Sequence, residues 1–180
     1  AIVCGLSLGG YVALALIARH PELVSGLLLA NTRAEADGAQ ARIAREQAFD
    51  TIRIDGLDTY LDAALPRLVA PDADAGVLDR LWAIAGRQDP DAVAAALMAL
   101  RDRDDRTPVL PTIAVPTAVV GAEEDELTPP TVTQDLAAAI PGATHHVLAT
   151  GHLSALEAPA EFAALLRDLL ARVAEAQATG

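Results

Sequence analysis

The sequence predicts an α/β fold in which parallel strands are flanked by helices and interrupted by an inserted helical cap. Short apolar runs of strand length recur at residues 1–4, 26–31, 115–121 and 144–148. Helical periodicity separates the first run from the second and the third from the fourth, which is the order of a parallel sheet. Between the second and third runs, apolar residues recur at helical spacing from Thr32 to about Val109, far longer than a simple crossover needs.

The opening run, Ala1-Ile2-Val3-Cys4, reads as a fully buried strand. Such a strand needs neighbours on both edges and nothing precedes this one, so the chain is expected to be the C-terminal part of a longer protein, inactive alone. A helix from about Leu8 to His20 is halted by Pro21. In the long helical segment, Leu57, Leu61, Ala64, Leu65 and Leu68 form one stripe, and Val77, Leu78, Leu81, Trp82 and Ala85 another. Asp89-Pro90 supplies an N-cap and a first-turn proline for a helix over residues 92–100, so three to five helices are expected here. Their stripes, with Leu97 and Met98, are expected to be core. The alternating charges from Arg101 to Arg106 read as a solvated helix end. Pro116 stands at the start of the third strand, where its missing N–H does least harm. Thr128-Pro129 is expected to cap a helix reaching Ile140, and Ser154 with Glu157 to form a capping box opening a last helix to about Ala176.

A chain of 180 residues, 52% of them apolar, can bury the core of one domain. The formal charge of -12 argues against nucleic acid or an anionic membrane as partner. All 13 basic residues are Arg, which with the abundant alanine reads as compositional bias. The apolar run from Val12 to Ala18 ends at Arg19-His20-Pro21, too short to span a membrane, so a soluble chain is expected. Cys4, the single cysteine, is expected to be a buried, inert thiol, and points to a reducing, cytoplasmic compartment. The histidines lack metal-ligand spacing and there is no phosphate-cradling loop, so no metal or organic cofactor is expected.

Gly5-Leu6-Ser7-Leu8-Gly9 fits G-x-S-x-G between a strand and a helix, a sharp turn that lifts a serine hydroxyl above the sheet. Ser7 is then a candidate nucleophile and the Leu8 N–H a candidate oxyanion donor. A serine hydroxyl needs a base, and the base an orienting carboxylate. Of four histidines, His20 closes a helix, and His145 and His146 lie within a strand, where one of them is expected to face the core or a helix. His152 follows that strand's carboxyl end in a loop free to reach Ser7. The third strand runs into Glu123-Glu124-Asp125-Glu126, and spacing alone cannot choose among these four. Asn31, ending the second strand, is an amide and could not stabilise an imidazolium as a carboxylate does.

Three segments, Gly5-Leu6-Ser7-Leu8-Gly9-Gly10-Tyr11, Asp125-Glu126-Leu127-Thr128-Pro129 and Gly151-His152-Leu153-Ser154, together resemble the signature segments of α/β-hydrolase fold enzymes, and the order Ser, Asp, His agrees. The resemblance implies Asp125 as the acid of a Ser7–His152–Asp125 triad, because the family's aspartate precedes a Thr-Pro that opens the next helix. It also implies a division into hydrolase core at residues 1–32 and 110–180 and a helical cap at 33–109, with a second oxyanion donor upstream of Ala1. The serine disfavours the branches that use an aspartate nucleophile. The segments look closest to the branch of 3-oxoadipate enol-lactonase and small-ester carboxylesterases. The expected activity is hydrolysis of a small carboxylic ester or lactone through an acyl-enzyme. A cofactor-free perhydrolase, a C–C hydrolase and a non-catalytic ligand-binding protein are the alternatives.

Overall fold

Among the described residues, four short strands lie side by side in chain order: β1 (Ile2–Leu6), β2 (Gly26–Ala30), β3 (Thr117–Ala122) and β4 (Thr144–Leu148), with every neighbouring pair parallel. The structure is a computed structural model and describes residues 1–179. Parallel neighbours require crossovers. The first is α1 (Leu8–Arg19). The second carries α2 (Ala39–Ile54), α3 (Leu57–Ala64), α4 (Ala75–Ala85) and α5 (Pro90–Arg101). The third is α6 (Pro130–Ala138), and after β4 the single turn α7 (Ser154–Glu157) leads into α8 (Pro159–Thr179).

The sheet is covered on both faces. Leu27, Leu29 and Val119 pack against Leu14 and Ile17 of α1 and Leu136 of α6. Leu28, Ala30, Ala118 and Val120 point the other way, onto Phe162, Leu169 and Val173 of α8. Double coverage is why β2 and β3 read as unbroken apolar runs: every residue in both is buried. The helices α2 to α5 enclose a core of their own, in which Ile52, Leu57, Leu61, Leu81 and Leu97 are buried and Leu78, Trp82 and Met98 pack against them. Asp89 accepts the Asp91 N–H at 2.8 Å and Pro90 is the first residue of α5, as expected.

Three expectations are corrected. Cys4, expected to be buried, is exposed on β1, which among the described residues pairs on one side only, with β2. Cys4 shares a face with Ile2 and Leu6, which reach the α8 layer, but α8 itself packs over β2 and β3. Its thiol is held above its ordinary pKa by nearby protein, so exposure does not activate it. The helix after β4 is broken in two at Ala158, the residue before Pro159, where proline disfavours helical backbone. The charged run 101–106 is not uniformly solvated either. Arg103 turns inward, its guanidinium 4.2 Å from the Tyr11 ring centroid and 2.5 Å from the Asp37 carboxylate. Among the described residues, no helix is long and apolar enough to cross a membrane.

Candidate active site

The carboxyl ends of β1, β3 and β4 bring three distant side chains together. Ser7 occupies the turn between β1 and α1 with φ 50° and ψ -113°, a conformation L-residues rarely adopt. The surrounding bonds impose it. Ser7 N–H donates to Ala30 O on the neighbouring strand, while Ser7 O accepts from Gly10 N–H and from the Thr32 hydroxyl, each at 2.9 Å. Two glycines make this turn possible by close approach. A Cβ on Gly5 would lie 2.4 Å from Gly9 O, and one on Gly10 would lie 2.4 Å from the Thr32 side chain. Leu8 begins α1, so its N–H is one of the helix's first-turn donors, which have no partner within the helix.

His152 Nε2 lies 2.7 Å from Ser7 Oγ, and His152 Nδ1 lies 3.0 and 2.9 Å from the two Asp125 oxygens. Of the four carboxylates in the loop, Asp125 is the one that meets the imidazole. Asp125 is only 3% exposed and His152 only 5%. Burial alone would raise the Asp125 pKa. The hydrogen bond and charge of His152, the Thr128 hydroxyl and the Thr128 N–H outweigh it and hold the carboxyl at about 2. An ionised Asp125 can only accept, so the Nδ1 proton points to it and Nε2 is left to accept the Ser7 hydroxyl proton.

Around this line lies a network that the sequence reading missed. Thr128 does not cap α6, whose N-cap is Pro129; its hydroxyl donates to Asp125 Oδ2 at 2.6 Å. Leu127 N–H and Thr128 N–H both donate to Asp125 Oδ1 at 2.9 Å. Asn31, set aside as a triad acid, donates through Nδ2 to Asp125 Oδ2 at 3.0 Å, and its Oδ1 accepts the Ser154 hydroxyl at 2.6 Å. Asn31 sits at φ 48°, in the left-handed region that asparagine tolerates better than most residues. The expected capping box is therefore absent. Ser154 serves Asn31, and the Glu157 carboxylate accepts Gly151 N–H at 3.1 Å and Ala70 N–H at 2.9 Å. Glu157 thus fastens the His152 loop to the helical segment. Gly151 leaves room for that contact, since a Cβ there would lie 2.4 Å from Ala70 N.

The other histidines lie elsewhere. His20 ends α1 beside Glu22. His145 meets the Thr133 hydroxyl of α6 at 3.0 Å, and burial lowers its pKa. A cavity of about 420 Å³ opens above Ser7 and His152, roofed by residues such as Ala48, Tyr60 and Leu97 of the helical segment.

The family model described as "Alpha/beta hydrolase family" matches residues 1–165. The chain belongs to the alpha/beta hydrolase family. Two curated hydrolases are similar to it. One is a 3-oxoadipate enol-lactonase from Acinetobacter baylyi, 30% identical over 165 residues that cover 90% of this chain and 60% of the relative. The other is a pimeloyl-[acyl-carrier protein] methyl ester esterase from Neisseria meningitidis, 34% identical over 179 residues that cover 93% of this chain and 56% of the relative. The structure of a thermophilic esterase from Thermogutta terrifontis, solved with malate bound, superposes with a TM-score of 0.89 at 30% identity, covering 94% of this chain and 64% of that one. The chain thus spans less than two thirds of the length of these relatives.

Proposed function

We propose that this alpha/beta hydrolase chain carries the catalytic centre of a serine hydrolase that cleaves small carboxylic esters or lactones through an acyl-enzyme. The observation that carries the reading is the line from Ser7 Oγ through His152 to Asp125, with contacts of 2.7 and 2.9 Å. His152 Nε2 takes the Ser7 proton as Oγ attacks the substrate carbonyl, and the Leu8 N–H helps hold the oxyanion. His152 then protonates the leaving alkoxide. Water, deprotonated by the same nitrogen, attacks the acyl-enzyme and frees the acid and Ser7. Asp125 keeps Nδ1 as the donor and stabilises the imidazolium at each stage. In this scheme residues 33–109 act as the cap that encloses the acyl chain over a core formed by 1–32 and 110–180. The names of the relatives, an enol-lactonase and two esterases, agree with ester cleavage. A non-catalytic role would not require an ionised Asp125 on one imidazole nitrogen and a strained serine on the other.

The test is turnover of short acyl p-nitrophenyl esters and small lactones by the full-length protein. Ser7→Ala is expected to lower kcat by about 10³-fold or more. Undiminished turnover in that variant, or none by the wild type on either substrate class, would overturn the reading.

A further inference from the structure

The cavity above Ser7 is basic although the chain is strongly acidic. Its lining includes Arg33, Arg45 and Arg67 but a single carboxylate, Asp37, in a protein of formal charge -12. Two of the three cations are already engaged. Arg45 Nε lies 3.2 Å from the Asp37 carboxylate, which Arg103 also contacts at 2.5 Å. Arg67 is mostly exposed and lies 3.8 Å from Glu126.

Arg33 differs. It is half-buried, and none of the ion pairs among the described residues includes it. Its one hydrogen bond runs from a terminal nitrogen to Leu127 O at 2.6 Å. A guanidinium has five N–H donors in a rigid fork, so a single carbonyl leaves most of them unused. The bond also fixes where the fork sits. Arg33 stands two residues after Asn31 and Leu127 two residues after Asp125, so the guanidinium ties together the two loops that hold the Asp125 carboxylate.

We propose that Arg33 anchors an ionised carboxylate on the substrate, so that the preferred substrates are half-esters of dicarboxylic acids or lactones bearing a carboxylate. The inference rests on the serine-hydrolase reading for its chemistry but not for its binding site. A planar carboxylate matches one guanidinium fork with two parallel hydrogen bonds. With the carboxylate held at Arg33 and the ester carbonyl at Ser7, both in the lining of the cavity, the spacing between the substrate's carboxylate and its ester selects the chain length.

The experiment compares monomethyl glutarate with methyl pentanoate, which share a five-carbon acyl chain and differ in the terminal carboxylate. In the full-length protein, kcat/KM is expected to favour the half-ester by about tenfold or more, the effect of one hydrogen-bonded charge pair. Arg33→Gln should bring the ratio close to one, and Arg33→Lys, which keeps the charge without the fork, should leave part of the preference. Independently of turnover, calorimetric binding of glutarate to Ser7→Ala should weaken about tenfold when Arg33→Gln is added. Equal use of the two esters by the wild type, or a preference unchanged by Arg33→Gln, overturns the anchor and leaves the hydrolase reading intact. Arg33-dependent glutarate binding without hydrolysis of these esters, of p-nitrophenyl esters or of small lactones would uphold the anchor and overturn the hydrolase reading. Should Arg33→Gln fail to fold, the Arg33→Lys ratio decides: an undiminished preference overturns the bidentate anchor.

Discussion

Asn31→Asp isolates the electrostatics of the network behind Asp125. The new side chain has nearly the same shape, tolerates the positive φ, and keeps an acceptor for the Ser154 hydroxyl. What changes is the atom 3.0 Å from Asp125 Oδ2, a donor in Asn31 and a carboxylate oxygen in the variant. Two unit charges about 3 Å apart repel by roughly 5–6 kcal/mol at an effective dielectric near 20. Capturing one proton at pH 7, for a carboxyl with an unfolded pKa of about 3.9, costs about 4 kcal/mol. Protonation is the smaller cost, and it restores the lost donor, since the new O–H can point at Asp125. The variant should therefore fold with one trapped proton shared by the pair. A carboxyl whose folded pKa is raised carries a penalty that is absent below its unfolded pKa and grows as pH rises above it. Relative to wild type, Asn31→Asp should lose about 4 kcal/mol at pH 7 and about 1.5 kcal/mol at pH 5, as measured by urea unfolding at both pH values. A destabilisation equal at the two pH values, or below about 1 kcal/mol at pH 7, would refute the placement of Asn31 as a donor to an ionised Asp125.

Two further outcomes follow from the same site. Asp125 has a depressed folded pKa of about 2, so its stabilisation is present above the unfolded value of 3.8 and is lost as pH falls through the folded one. Roughly 2 kcal/mol of stability should disappear between pH 5 and pH 2, and Asp125→Asn should flatten that part of the acid limb in urea titrations; an unchanged acid slope would contradict it. Gly10→Ala drives a Cβ to within 2.4 Å of Thr32, which is fully buried and bonded to Ser7 O, so it should cost about 1–3 kcal/mol in thermal unfolding. Gly38→Ala, with nothing within 4 Å of its Cβ, is the control, and equal effects of the two would rule out steric crowding at the turn.

The parts of the molecule legible in the sequence are those whose signals are local. The strand–turn–helix around Ser7 is written in seven consecutive residues, and β2 and β3 are apolar throughout because helices cover both sheet faces. The helical stripes of α3 and α4 were legible for the same reason: a 3.6-residue period needs no knowledge of what it packs against. Which strands a helix covers is not a local signal. Nothing in Ala1-Ile2-Val3-Cys4 itself says that α8 lies over β2 and β3 and leaves Cys4 exposed.

The two misread helix starts share one physical cause. Thr128 before a proline-led helix and Ser154 three residues before Glu157 are sound local capping signals, since both side chains carry an oxygen suited to a free backbone N–H. In the folded chain each of those groups has a competing partner, three residues away for Thr128 and distant in sequence for Ser154 and Glu157. Thr128 Oγ1 reaches a buried carboxylate, Ser154 Oγ reaches Asn31 across 123 positions, and Glu157 takes two N–H groups, of which the Ala70 N–H lies 87 positions away. A hydroxyl bonded to an ionised acceptor, or to an amide already bonded to one, gains more than it would at an exposed helix end. Asp125 is nearly inaccessible to water, so every donor the chain can bring to it replaces hydration that burial removed. Two helix-start signals, at Thr128 and at Ser154 with Glu157, fail because the Asp125 carboxylate, and the histidine loop it serves, outbid the helix ends for the same side chains. The lost caps thus mark the site from a second direction: locally correct signals that the fold overrides cluster where buried charge must be held in place.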